Sequence, residues 1–127
     1  VAASGKDENS FVASFTNYGK KTVDLFAPGV DIYSSVPGNK YKNESGTSMA
    51  SPVAAGVAAL LKSYFPDLSV AEIREILLNS SRKMDGLRVN RPGGGKTELS
   101  ALSRSGGLIN AYEAVRLARQ RPSRKIQ

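Results

Sequence analysis

A chain of 127 residues is long enough for one domain with a modest core, or for part of a larger one. The absence of cysteine and histidine excludes disulfides and thiolate or imidazole metal sites, while a carboxylate-and-carbonyl calcium site stays open. The net charge of +7 invites a nucleic-acid reading, but the excess gathers late, where Arg116, Arg119, Arg121, Arg124 and Lys125 meet no acid, and no aromatic residues are interleaved as a stacking platform. A solvated basic face and tail is therefore expected, with no nucleic-acid partner. The longest apolar run, Val53 to Leu61, is too short to span a bilayer. Val1-Ala2-Ala3-Ser4 reads as the interior of a chain and not as a leader, so a processed, trimmed or excerpted polypeptide is expected.

Phe11-Val12-Ala13-Ser14-Phe15 alternates large and small residues and predicts a first strand, ended by the turn signal Asn17-Tyr18-Gly19. Val23–Ala27 predicts a second, closed by Pro28-Gly29, and Asp31–Val36 a third, closed by Pro37-Gly38-Asn39. Tyr41–Ser45 is expected to return as an extended hairpin arm. From Thr47 or Ser48 to about Tyr64 the chain is Ala, Val, Leu and Gly with few polar residues. This predicts a helix apolar all round and buried on most faces. Pro52 is read as lying in its first turn, where a missing N–H would cost nothing.

Phe65-Pro66-Asp67 breaks that helix. Ser69-Val70-Ala71-Glu72 is a capping-box pattern opening a second helix to about Asn79, with Val70, Ile73, Ile76 and Leu77 on one face. Val89–Ser105 is polar, contains Pro92 and Gly93-Gly94-Gly95, and reads as a long surface loop. The stretch Gly93-Gly94-Gly95-Lys96-Thr97 faintly echoes a phosphate loop, but the preceding strand and the spacing are wrong, so a flexible loop is expected. Gly107-Leu108-Ile109 restarts order, and Asn110 is placed to cap a last helix carrying Ala111, Ala114, Val115 and Ala118. The body is expected over 1–120 and a frayed basic tail over 121–127.

One motif carries chemistry. In Gly46-Thr47-Ser48-Met49-Ala50-Ser51-Pro52, a serine opens an apolar helix. There the free N–H groups of the first turn and the helix dipole favour developing negative charge. Considered alone, Ser48 reads as an ordinary N-cap. The whole run, followed by Val53-Ala54-Ala55-Gly56, resembles the nucleophile motif of the subtilisin-like serine peptidases. Phe26-Ala27-Pro28-Gly29-Val30-Asp31-Ile32, Pro37-Gly38-Asn39-Lys40-Tyr41 and Gly107-Leu108-Ile109-Asn110-Ala111 extend the resemblance to about Leu117.

The resemblance implies an α/β fold: part of a three-layer subtilisin-like domain with a mostly parallel sheet, here its C-terminal strands, the buried nucleophile helix and two further helices. It implies a parent serine endopeptidase that acts on protein or peptide substrates through an acyl-enzyme on Ser48, with the Ser48 backbone N–H as one oxyanion donor. It implies no cofactor, though a calcium site in the complete domain is possible, and a secreted, periplasmic or cell-surface location.

In this family the catalytic Asp, His and oxyanion Asn precede the serine segment, and all three would precede Val1. Asp7, Asp24 and Asp31 lie in no such Asp motif. A Ser–Lys dyad is chemically conceivable, but nothing here resembles one. The chain by itself is therefore expected to be inactive, with partnership to the missing N-terminal part, or self-association, covering an exposed strand edge and an apolar helix. Met49 resembles an oxidation-sensitive neighbour of the active site and reads equally well as core filler. Asp24 matches a carboxylate that helps hold a weak cation in some relatives, although a solvated strand-edge Asp is the simpler reading.

Overall fold

The computed structural model describes residues 1–7 and 10–121. Its centre is a four-stranded sheet in the order β1-β2-β8-β5, formed by β1 (Ala2–Ser4), β2 (Phe26–Pro28), β8 (Gly107–Leu108) and β5 (Arg82–Lys83). The first three strands run parallel, and β5 is antiparallel to β8. Two hairpins stand apart from it: β3 (Ile32–Val36) with β4 (Lys40–Glu44), and β6 (Arg88–Asn90) with β7 (Lys96–Glu98). Three helices complete the fold: α1 (Thr47–Tyr64), α2 (Val70–Ser80) and α3 (Ala111–Arg119).

Strand alternation sorts the core into two sides. Ala2 and Phe26 pair in register and join Phe11, Val12, Val23, Val89, Leu99 and Leu102 on one face of the sheet. Their neighbours Ala3 and Ala27 face the other way and meet Ala13, Leu25 and Ala50 of α1. Alanine on both partners lets α1 lie close to the sheet. A third cluster locks the helices together: Leu61 of α1, Ile73 and Ile76 of α2, and Ala114 and Ala118 of α3, with Leu68 from the α1–α2 turn.

The helix ends follow their sequence signals. The Ser69 side chain accepts from the Glu72 N–H while the Glu72 carboxylate accepts from the Ser69 N–H at 2.8 Å, so the capping box is complete. Asn110 caps α3 by accepting from the Glu113 N–H at 3.1 Å. Lys62 closes the turn between α1 and α2, donating to the carbonyls of Pro66 and Leu68 at 2.7 Å each.

Several expectations change. The predicted first strand at Phe11–Phe15 forms a single antiparallel bridge, Val12 with Ser4, and the strand proper is Ala2–Ser4. Three alanine-like residues carry no alternation to read, yet the sheet interior buries all of them. The second strand shifts to Phe26–Pro28. The outer edge of β1 is not bare. The Ala3 N–H donates to Thr16 Oγ1 at 2.9 Å, the Ala13 N–H to the Ala3 carbonyl at 3.2 Å, and the Gly5 N–H to the Phe11 carbonyl at 2.8 Å.

The expected loop at 89–105 is the β6–β7 hairpin followed by a 3-10 turn at Leu99–Ala101, with Val89, Leu99 and Leu102 in the core. Gly93, Gly94 and Gly95 all have positive φ and form its tip, a strand–turn–strand arrangement unlike a phosphate loop. Val70, expected on the apolar face of α2, is 84% exposed, because as the first residue of the helix it lies beyond the reach of α1.

Helix α1 departs furthest from expectation, and Pro52, expected in its first turn, is its sixth residue and lies inside the helix. It is buried at Ala50, Ala54 and Leu61, but Pro52, Ala55, Gly56, Ala59, Leu60 and Tyr64 are exposed. The sheet and the other helices cover one side, and nothing among the described residues packs on the opposite one. Arg121, grouped with the tail on sequence grounds, instead pairs with the largely buried Glu72; the rest of the predicted tail lies outside the described residues.

Candidate active site

The motif around Ser48 sits where β4 runs into α1. Gly46 occupies the N-cap position with extended backbone, and it offers no side chain to cap the first turn. No acidic residue lies in that turn. The result is a helix N-terminus with open N–H groups and Ser48 exposed beside them.

Two ties hold this corner to the preceding strand. The Gly46 N–H donates to the Gly29 carbonyl at 2.7 Å, and the Asp31 N–H donates to Ser45 Oγ at 2.9 Å. Gly29 lies under the helix entrance so tightly that a Cβ there would come within 2.6 Å of Ala3 Cβ and 2.9 Å of the Gly46 carbonyl oxygen.

Ser48 opens onto a cavity of about 350 Å³ between α1 and the β3–β4 hairpin. Ile32, Val36, Met49, Pro52 and Val53 give it apolar walls, while Lys42 and Glu44, an ion pair, bring charge to the hairpin side. Met49 is thus part of the wall beside Ser48 and half-buried, not a core residue.

The three aspartates weighed in the sequence lie apart from this corner or turn away from it. Asp31 faces solvent within 3.8 Å of Lys6. Asp7 is exposed, with Ser10 Oγ donating to it at 3.4 Å. Asp24 is gripped by two guanidinium groups. Arg74 donates to both carboxylate oxygens, at 2.5 and 3.1 Å, and Arg104 lies 3.2 Å from Oδ1. A carboxylate so committed does not fit a cation-ligand role, since two fixed positive charges would flank the ion. The described residues contain no cluster of three or more acidic groups able to hold a metal.

The clamp on Asp24 had no sequence signal, since its partners are 50 and 80 residues downstream. Ser45 carried one only by position: it stands immediately before the motif, three residues ahead of Ser48, but its partner is visible only once the hairpin forms.

Fold and site together define an α/β domain that presents a serine at the uncapped N-terminus of a helix packed on a mostly parallel sheet. The Peptidase_S8 family model, described as the subtilase family, matches residues 1–101. This chain belongs to the subtilase family.

Alkaline elastase YaB from Bacillus sp. (strain YaB) is 39% identical over 116 residues, 91% of this chain and 27% of the relative. Subtilisin Savinase from Lederbergia lenta is 38% identical over 116 residues, again 91% of this chain and 38% of the relative. Among solved structures, the CspB protease of Clostridium perfringens superposes with a TM-score of 0.69 at 26% identity, covering 94% of this chain and 26% of that one. The chain therefore spans well under half the length of the relatives it matches.

Proposed function

We propose that this chain is the nucleophile-bearing portion of a serine endopeptidase that cleaves protein or peptide substrates through an acyl-enzyme on Ser48. One observation carries the reading: Ser48 is exposed at an uncapped helix N-terminus, opening onto a cavity, in a motif that resembles the subtilase nucleophile segment and lies within the residues the family model matches. In the reaction Ser48 Oγ attacks the peptide carbonyl, a histidine supplied from outside the chain takes the proton, and the Ser48 N–H shares the oxyanion.

The chain contains no histidine, so by itself it holds the nucleophile and half an oxyanion hole without the base. The isolated polypeptide is accordingly not catalytically competent. The test is peptidase turnover by pure 1–127 beside a Ser48→Ala control. No Ser48-dependent turnover is expected; turnover that disappears in Ser48→Ala would refute the claim of incompetence. A His-Gly-Thr-His-like segment in the coding sequence upstream of Val1 would supply the missing base and support the endopeptidase reading.

A second reading, a non-catalytic module that associates with a partner chain or with itself, is favoured by the exposed face of α1 at Pro52, Ala55, Gly56, Ala59 and Leu60. A secreted, periplasmic or surface location is part of the same proposal, supported by the likeness to bacterial subtilisins. No helix among the described residues is long and apolar enough to cross a membrane.

A further inference from the structure

We infer that Ser45 is a positioning residue for Ser48, acting through its hydroxyl on Asp31; the inference rests on the proposed role of Ser48 as nucleophile. The β3–β4 ladder pairs Ile32 with Glu44, and one step further Asp31 faces Ser45. That rung cannot continue as ordinary ladder, because Asp31 has φ of 52° and the strand begins only at the next residue. Asp is one of the few non-glycine residues that tolerate this left-handed conformation, whereas a β-branched side chain there is strongly disfavoured. The Ser45 hydroxyl restores the rung, accepting the Asp31 N–H at 2.9 Å.

The next residue, Gly46, is held by the Gly29 carbonyl at 2.7 Å, and the helix starts at Thr47. The hairpin register is thus carried by a side chain to within three residues of Ser48. Gly46 leaves the N-cap position without a side chain to fix the helix entry, so the Ser45 rung and the Gly29 tie set the direction from which Ser48 enters its cavity.

The base missing from the chain can be supplied from solution, which lets the full 127-residue polypeptide serve as the test material. Ser48 is labelled with a fluorophosphonate in the presence and absence of imidazole. The Oγ–P bond forms, the P–F bond breaks with loss of fluoride, and imidazole takes the hydroxyl proton. The expected result is imidazole-dependent labelling at Ser48, slowed roughly tenfold per folded molecule in Ser45→Ala, given how steeply rates fall with misplacement of a reacting group. Asp31→Val, which leaves Ser45 untouched but disfavours the left-handed turn, slows labelling similarly. Ser45→Thr and Asp31→Gly, which keep the hydroxyl and the donor, recover the parent rate within about twofold.

A purely structural tie would lower melting temperature in Ser45→Ala while leaving the rate per folded molecule unchanged, and that result overturns the inference but not the nucleophile assignment. If imidazole raises no labelling at Ser48 in the parent chain, the nucleophile assignment falls and this inference with it.

Discussion

The Gly46 N–H reaches the Gly29 carbonyl at 2.7 Å across a gap that admits no side chain at position 29. The contact joins the end of β2 to the entrance of the helix that carries Ser48. The sheet–helix spacing here is set by Ala3, Ala27 and Ala50, all fully buried. Gly29→Ala would push against Ala3, Gly46 and Ala50 together, all three through atoms that cannot rotate away. The expected cost is about 1–3 kcal/mol, as for other overpacked cores, measured by denaturant unfolding. A loss indistinguishable from zero would show that the helix entrance is slack.

Glu72 predicts an acid limit to stability. Its carboxyl is held down to about 2, first by the Ser69 N–H, then by the Ser69 hydroxyl, with Arg121 adding a further hydrogen bond. A depressed carboxylate stabilises the fold above its unfolded value of about 4.3 and loses that contribution as pH falls toward its folded value. Unfolding free energy should therefore decline between about pH 4 and pH 2. In Glu72→Gln this part of the slope should vanish, and stability at neutral pH should be lower. Parallel pH profiles for the two chains would contradict the assignment.

The clamp on Asp24 predicts indifference to calcium at that position. Asp24→Asn removes the charge that Arg74 and Arg104 share and is expected to cost about 1 kcal/mol, because the groups are partly exposed. If Asp24 were a cation ligand, calcium would raise the melting temperature of the parent chain and not of the variant. Equal shifts in both are expected by differential scanning fluorimetry.

Lys83 donates to the carbonyls of Leu78 and Ser105 and to Ser81 Oγ, stitching the end of α2 to the segment before β8. Partial burial holds its pKa below the ordinary lysine range, with Asp85 opposing that shift. Lys83→Met keeps the stem and removes all three donors. A loss of about 1–3 kcal/mol is expected, since the carbonyl acceptors are left without their charged partner. Unchanged unfolding would mean that water replaces the ammonium group at no cost.

The exposed side of α1 predicts association. Ala59→Glu places a charge on that face at little cost in helix propensity. Light scattering should find the parent chain associated, by itself or with added partner chain, and the variant dispersed. The same monomer mass for both would argue that the face stays solvated.

The sequence by itself determined what local chemistry can encode. The motif around Ser48, the capping box of Ser69 and Glu72, and the turn residues Pro37-Gly38-Asn39 act over a few residues, so their structures follow from their spacing. The tertiary structure decided everything that depends on distant partners. Ala2, Ala3 and Ser4 form the edge strand of the sheet because β2 pairs with them on one side and the segment 11–16 supplies hydrogen bonds on the other, not because alanine favours strands. Leu99 and Leu102 sit in the core although their surroundings are polar, because the β6–β7 hairpin folds them under the sheet. The composition of α1 called for burial all round, but burial requires a covering surface. Among the described residues that surface exists on one side of the helix, and the other side is open.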